Sequence, residues 1–307
     1  MSVLVTGGCG FIGQYVVRAL QEKDTGVIVF DRNADPARDT SLVRHIKGEF
    51  GNKGELEAVF GGYKVDKVIH LVSSTLPKSS NDDPVFDVQS NVCETIALLQ
   101  LCVAYSVGKV VFMSSGGTVY GHPLYSPIDE SHPTEPICSY GITKLTIEKY
   151  LALFHRLYGL PYVAIRASNP YGPGQSPFGT QGVIPVFLYK MMHGEAIEVW
   201  GDGRAVRDFL HVADLARLCC LCLENTQCGV VNGGSGIGTS INELIDVLSG
   251  CLKFSPSVAR HSGRLFDAKE IVLSNQRARD WFSWSPCIPF YKGIDELRRY
   301  LSNLPLV

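Results

Sequence analysis

The strongest constraint on this chain sits near its start. An apolar run at residues 3–6 leads straight into Gly7-Gly8-Cys9-Gly10-Phe11-Ile12-Gly13, and a helical pattern begins at Phe11. Gly7, Gly10 and Gly13 have the spacing G-x-x-G-x-x-G. A strand that turns at once into a helix needs glycine for three reasons: the turn is tight, the backbone must approach a ligand, and the helix must pack close to the sheet. The helix start then favours a phosphate, because its amides are unpaired and its dipole is positive there. In this strand–turn–helix setting the motif predicts a dinucleotide pyrophosphate on Gly7, Gly10, Phe11, Ile12 and Gly13.

Asp31 closes the next apolar run, residues 27–31. A carboxylate there accepts the ribose hydroxyls of NAD and repels a 2′-phosphate. The stretch Asp31-Arg32-Asn33-Ala34-Asp35-Pro36 also reads as a plain turn. Position and chemistry together favour NAD, with Asp31 and Arg32 at its ribose. A second glycine cluster, Gly233-Gly234-Ser235-Gly236-Ile237-Gly238, lacks a strand–phosphate–helix unit around it. It reads as a turn before a helix at 240–249, with Thr239 or Ser240 as N-cap.

Strand-like runs at 3–6, 27–31, 67–72 and 109–114 alternate with helix-like segments at 11–21, 53–60 and 88–105. A long helix at 139–158 and a strand at 162–166 follow. This alternation predicts an α/β chain with a Rossmann-type, doubly wound parallel sheet. From 169 to 181 proline, glycine and serine dominate, so the chain should leave the sheet there. The expected division is a dinucleotide domain at 1–168, rejoined by about 206–224. A smaller C-terminal α/β substrate lobe would comprise 169–205 and 225–307.

Composition excludes several classes. The 307 residues carry 28 Lys and Arg against 30 Asp and Glu, which argues against nucleic-acid or membrane-surface partners. No apolar run is long enough to span a bilayer, and the first residues read as a strand rather than a signal peptide. Cys219, Cys220 and Cys222 lie in the apolar run 218–223 and read as buried helix thiols, not as a metal or redox site. No metal is expected, and a reducing, cytoplasmic setting is.

Tyr140 and Lys144 are four residues apart in a helical segment, hence on one face. A phenol titrates near 10, roughly three units too high for a base at neutral pH. A neighbouring ammonium, with the positive nicotinamide of NAD⁺, is expected to lower it.

With the glycine motif and Asp31, Tyr140-Gly141-Ile142-Thr143-Lys144 resembles the extended short-chain dehydrogenase/reductase family. The UDP-sugar 4-epimerases are the nearest group within it. The resemblance runs over nearly the whole chain. Val68-Ile69-His70-Leu71 resembles the strand beside the nicotinamide ribose, and Asn91-Val92-Cys93-Glu94-Thr95 resembles a helix start with a structural Asn. Ser114-Ser115-Gly116-Gly117-Thr118-Val119-Tyr120-Gly121 resembles the strand that carries a catalytic hydroxyl. The family places Ser or Thr where Gly116 stands, so either Thr118, the favoured candidate, or Ser115 takes that role, or Tyr140 works without it. Its paired small residues become Val72-Ser73-Ser74, a change at the nicotinamide pocket or the sugar edge. The resemblance implies Leu71, Asn91 and Ser114 at the cofactor.

Related dehydratases and decarboxylases carry a carboxylate where this chain has Gly117-Thr118. Simple oxidation and reduction at one carbon is therefore implied: Tyr140 takes the C4 hydroxyl proton as hydride leaves, the 4-ketose turns over, and both return to the other face. Asn169-Pro170-Tyr171-Gly172-Pro173-Gly174 resembles a diphosphate loop. Within residues 201–214, Arg207 maps onto a diphosphate-binding arginine. In Gly263-Arg264-Leu265-Phe266-Asp267, Arg264 maps onto another and Asp267 onto a carboxylate near the nucleotide ribose. Ile271 matches a gatekeeper against 2-acetamido sugars. A UDP-sugar substrate and a homodimer built through 88–105 and 139–158 are implied as well. The rival readings are an NADPH-dependent keto-sugar reductase, opposed by Asp31, and a non-catalytic NAD-binding homologue, opposed by Tyr140, Lys144, Arg207 and Arg264.

Overall fold

The computed structural model describes residues 1–179, 181–263 and 268–304. The chain begins with β1 (Ser2–Thr6), α1 (Phe11–Gln21), β2 (Gly26–Asp31), β3 (Val43–Lys47), α2 (Lys53–Gly62) and β4 (Lys67–His70). Two short helices, α3 (Pro77–Asp82) and α4 (Pro84–Asp87), lead through a π-helical stretch, Val88–Cys93, into α5 (Glu94–Ala104). Next come β5 (Val110–Ser115), α6 (Ser139–Tyr158), β6 (Tyr162–Ala167), β7 (Asn169–Tyr171) and α7 (Val183–Met192). They are followed by β8 (Ile197–Trp200), β9 (Val206–His211), α8 (Val212–Glu224), β10 (Gly229–Gly233), β11 (Gly238–Ser240) and α9 (Ile241–Leu252). The described chain closes with β12 (Val258–His261), β13 (Glu270–Ile271), α10 (Gln276–Phe282) and α11 (Phe290–Ser302).

Seven strands form one sheet in the order β10-β6-β5-β4-β1-β2-β3, and every pairing in it is parallel. Side chains alternate across it, as a strand's period of two requires. Val3, Val5, Val27 and Val29 enter one core with α1 and α8, while Leu4, Ile28 and Phe30 enter the other with α2, α5 and α6. Burial on both faces explains why these strands read as continuous apolar runs. The order reverses beside β1, whose neighbours are β2 and β4. A crevice at the carboxyl ends of the strands forms at such a reversal. The loops after β1, β4 and β5 converge on it.

A second layer holds β11, β9 and β13, with β7 against β9, and a separate β8–β12 pair. Its core gathers Tyr171, Ile184, Leu188, Ile197, Leu244, Ile294 and Leu297.

The expected division of the chain is shifted. β9 belongs to the second layer, although 206–224 was expected to rejoin the first. β10, expected in the lobe, is the edge strand beside β6. The cause is non-local: α8 packs on α1 and carries the chain back across to β10, and α10 covers the same core with Ala278 and Phe282. The sequence reading also lacked β3, α3 and α4, and it drew 88–105 as one regular helix where the first turns are π-helical. Within 169–181, β7 keeps three residues in strand form against β9. Helix α6 has the bounds expected of it and stops at Gly159, whose φ of +69° suits the left-handed cap that glycine tolerates. Cys219, Cys220 and Cys222 lie in the first core, and burial pushes all three thiols up.

Candidate active site

The glycine loop is shaped by close approach. Gly7 has φ +76°, and a Cβ there would sit 3.1 Å from the Val72 amide nitrogen. A Cβ on Gly13 would run into Gly7 O and lie 2.7 Å from Gly8 Cα. Gly10 is the N-cap of α1 and supplies no side-chain cap. The first-turn amides of Phe11 and Ile12 are thus left to the crevice, a cradle suited to phosphate. Asp31 ends β2, where Oδ2 accepts the Cys9 amide at 3.1 Å and Oδ1 accepts the Asn33 amide at 2.8 Å. This pins the carboxylate to the lip of the loop. Arg32 is exposed. Leu71 follows β4, and its amide donates to Thr6 O at 3.1 Å. An unblocked helix start, a glycine cradle and a carboxylate at the strand end fit a dinucleotide.

Tyr140 lies in the first turn of α6, and its amide donates to Ser80 Oγ at 3.0 Å. Lys144 is buried one turn further on. Its Nζ donates to Met113 O at 3.0 Å and lies 5.4 Å from the Tyr140 ring centroid. Burial pulls the Lys144 ammonium down to about 8 and pushes the Tyr140 phenol up to about 12. Desolvation dominates, and the ammonium points at a backbone carbonyl; the lowering expected from Lys144 together with the nicotinamide charge of NAD⁺ must overcome that burial. Beside them, His70 bridges the Thr6 and Thr95 hydroxyls at 2.7 and 3.0 Å. Burial, aided by the Lys144 charge, lowers it to about 3, so it is a neutral core residue.

Asp87 is wholly buried among hydroxyl and amide donors. Its Oδ1 accepts from Thr75 Oγ1 at 2.5 Å and Asn91 Nδ2 at 3.1 Å. Its Oδ2 accepts from Ser139 Oγ at 2.7 Å and Thr143 Oγ1 at 2.8 Å. Asn91 also accepts the Ser74 amide at 2.9 Å. The loop after β4, helix α4 and the start of α6 are thereby held as one corner.

On β5, the Ser114 hydroxyl donates to Glu148 Oε1 at 2.5 Å, and Glu148 pairs with Arg166 at 2.7 Å. The hydroxyl of Ser114 is therefore committed to the floor of the sheet, which leaves its backbone for the cofactor contact expected of it. Ser115 ends the strand half-buried. Gly116 has a steric reason: a Cβ there would run into Leu273 Cδ1 and lie 3.1 Å from Arg166 O. Thr118 Oγ1 is buried with no hydrogen-bond partner among the described residues, so its hydroxyl is not committed to the fold.

A cavity of about 460 Å³ opens in the second layer, lined by Asn169, Gln181, Phe187, Glu198, Trp200 and Arg207 among others. Asn169 Nδ2 donates to Asp208 O at 2.9 Å. Arg207 Nη1 donates to Val206 O and Ala268 O at 2.9 and 2.8 Å. Ile271 is buried beside Val119, Tyr120 and Leu273, which joins the lobe to the segment after β5. Arg264 and Asp267 lie outside the described residues. The sequence reading missed Trp200 and Gln181. An aromatic directly before Gly201-Asp202-Gly203 was the available signal for Trp200. It missed Asp87 altogether, since nothing local marks that residue.

The family model described as NAD dependent epimerase/dehydratase family matches residues 3–235. A putative UDP-glucose 4-epimerase of Methanocaldococcus jannaschii is 36% identical over 305 residues, covering 98% of each chain. Among solved structures, the UDP-glucose 4-epimerase of Thermotoga maritima with UDP-glucose superposes with a TM-score of 0.94 at 32% identity, covering 98% of this chain and 99% of that one. The UDP-glucose 4-epimerase of Thermus thermophilus in complex with NAD gives 0.92 at 30% identity, covering 99% of each.

Proposed function

Because the chain belongs to the NAD-dependent epimerase/dehydratase family, we propose that it inverts C4 of a UDP-hexose with bound NAD, through a transient 4-keto sugar. The substrates are UDP-glucose and UDP-galactose, and UDP-N-acetylglucosamine and UDP-N-acetylgalactosamine as well. The carrying observation is the Tyr140–Lys144 pair one turn apart at the start of α6, with the Lys144 ammonium 5.4 Å from the Tyr140 ring.

Bound NAD⁺ supplies the hydride acceptor and donor and a positive ring beside the phenol. Tyr140 receives the C4 hydroxyl proton and returns it to the inverted sugar. Lys144, desolvated and one turn away, holds the ribose and keeps the phenolate charge down. Thr118 Oγ1, with Ser115 at the strand end, hydrogen-bonds the sugar hydroxyl. The chain places no carboxylate at Gly117-Thr118 to drive elimination, so the ketone is reduced back.

Turnover of the sugar demands a firm grip elsewhere. Asn169, Arg207 and Arg264 take the diphosphate, the two guanidinium groups as planar, permanently charged donors. Asp267 takes the nucleotide ribose. Ile271, intermediate in bulk, admits the acetamido group, and an Ile271→Tyr protein that kept full activity on acetamido sugars would overturn that point. A homodimer through α5 and α6 is part of this reading. Ile142, Leu153, Leu157 and Tyr158 leave an exposed apolar strip along α6, and sedimentation of the purified protein tests it.

The decisive assay incubates purified protein with UDP-glucose, UDP-N-acetylglucosamine and UDP-glucuronate separately, without added cofactor, and follows C4 configuration by proton NMR. Conversion to galacto products is expected. Failure with NAD⁺ supplied, together with NADPH consumption on a keto-sugar, would establish the reductase reading instead.

A further inference from the structure

Tyr140 stands in the first turn of α6, where backbone amides have no partner within the helix. That start also lacks local help. Cys138 holds the cap position, where Ser, Thr, Asp or Asn is favoured, and the first turn carries no acidic residue. The acceptors come instead from the segment after β4. Asn81 Oδ1 accepts the Ser139 amide at 2.9 Å, and Ser80 Oγ accepts the Tyr140 amide at 3.0 Å. Asp87 Oδ2 accepts the hydroxyls of both Ser139 and Thr143, which bracket Tyr140. We propose that Asp87 is a positioning residue for the Tyr140 phenol: through Ser139 and Thr143 it sets the rotation of the first turn of α6, and with it the approach of the phenol oxygen to the C4 hydroxyl. The role rests on the epimerase reading above.

Ser139 and Thr143 are four residues apart and form one row on the helix, and Tyr140 and Lys144 form the row beside it. Each row has its own anchor. The first ends on Asp87, and the second ends where Lys144 Nζ donates to Met113 O of β5 at 3.0 Å. A helix held along two neighbouring rows resists turning about its axis, and that turn decides where the phenol oxygen lies. The carboxylate is matched to its place. Its lone pairs face four donors, Thr75 and Asn91 on Oδ1 and Ser139 and Thr143 on Oδ2. Burying a carboxylate is costly, and apolar packing would join the same segments without that cost, but it would not fix their spacing through directed bonds. Thr75 belongs to the loop after β4, so one carboxylate ties the edge of the crevice to the helix that bears the phenol.

The test uses NAD-loaded protein and three single variants. Asp87→Asn keeps the shape and removes the acceptor that α6 uses. Asn91 Oδ1 is held by the Ser74 amide, so its Nδ2 stays a donor toward residue 87. The new carboxamide therefore keeps its oxygen on Asn91 and turns its NH₂ group to Ser139 and Thr143. Thr143→Val removes one donor with little change of shape, and Thr143→Ser retains it.

Epimerisation is measured as kcat per bound NAD, beside a melting curve for each protein. A catalytic group misplaced by about 1 Å loses on the order of a hundredfold. Asp87→Asn should therefore lower kcat about a hundredfold and Thr143→Val about tenfold, each with KM within about twofold. Thr143→Ser should return kcat to within about threefold of wild type, and Thr143→Val should add little to Asp87→Asn, because both act on one contact. A lowered melting temperature with kcat per bound NAD unchanged would leave Asp87 a stabilising role only and overturn the proposal, as would losses that multiply in the double variant. If wild type epimerises no UDP-sugar, the reading of the reaction fails by itself, and the position of the phenol is followed directly. The ¹³Cζ signal of labelled tyrosine that Tyr140→Phe removes should move or broaden in Asp87→Asn and Thr143→Val and not in Thr143→Ser. A signal unmoved in all three overturns the positioning role.

Discussion

Two glycine clusters sit at the carboxyl ends of strands in the same sheet, after β1 and at the end of β10, and they do opposite things. The first, Gly7 to Gly13, leaves the start of α1 uncapped and open to a crevice. The second, Gly233 to Gly238, is already occupied by the chain's own anion. Asp208 accepts the Ser235 amide at 2.8 Å, the Ser235 hydroxyl at 2.6 Å, and the Gly236 and Leu273 amides at 3.2 Å each. Glycine at 234 lets that carboxylate approach, since a Cβ there would lie 2.5 Å from Asp208 Oδ2. Burial pushes the Asp208 carboxyl up, and these bonds pull against it. Glycine spacing therefore does not announce a ligand loop. What distinguishes the two is whether the fold brings its own negative charge to the amides.

The contrast predicts chemistry on the open side and stability on the closed side. The largest effect is Tyr140→Phe. It should lower epimerisation about 10²- to 10⁴-fold with NAD retention and thermal stability unchanged, as steady-state kinetics and a melting curve would show. Asp208→Ala should do the reverse. Four donors lose their acceptor, so denaturant unfolding should report about 3 kcal/mol of lost stability, with KM for the UDP-sugar nearly unmoved. A large loss of NAD affinity in that variant would erase the contrast.

The open side also has a pH signature. Lys144 titrates at about 8 in the fold against an ordinary value of 10.5. Between these values the unfolded chain holds the extra proton, so stability rises with pH. From pH 8 to 10, ligand-free wild type should gain on the order of 2–3 kcal/mol relative to Lys144→Met. Parallel stability curves for the two proteins would contradict it. The smallest effect is Ser240→Ala. It removes the capping box in which Ser240 and Glu243 close the start of α9 behind the second cluster, and should cost about 1 kcal/mol with activity intact.

Local signals carried much of this from sequence. The glycine loop, the strand that ends at Asp31 and the bounds of α6 all follow from patterns within a few residues. The parts that escaped depend on distant partners. Asp87 earns no notice among Asp82, Asp83 and Pro84 until Ser139 and Thr143 arrive from another helix. The exchange of β9 and β10 between layers is decided by which strand each one meets. The phenol of Tyr140 was expected to be lowered, because sequence spacing shows the ammonium and not the depth of burial. Val72-Ser73-Ser74 was visible as a departure, but the hold of Asn91 on the Ser74 amide needed the facing helix.

Gly116 and Leu273, finally, bear on the routes by which such a chain can change. A serine placed at 116 alone meets Leu273 and a backbone carbonyl, so it begins overpacked. An alanine placed at 273 alone empties a fully buried site, a loss of about 2–5 kcal/mol. Each step is unfavourable by itself, and only the pair accommodates a hydroxyl directly after β5. Two positions far apart in sequence are thus bound into one inherited choice, and a hydroxyl at 116 cannot be gained by single neutral steps.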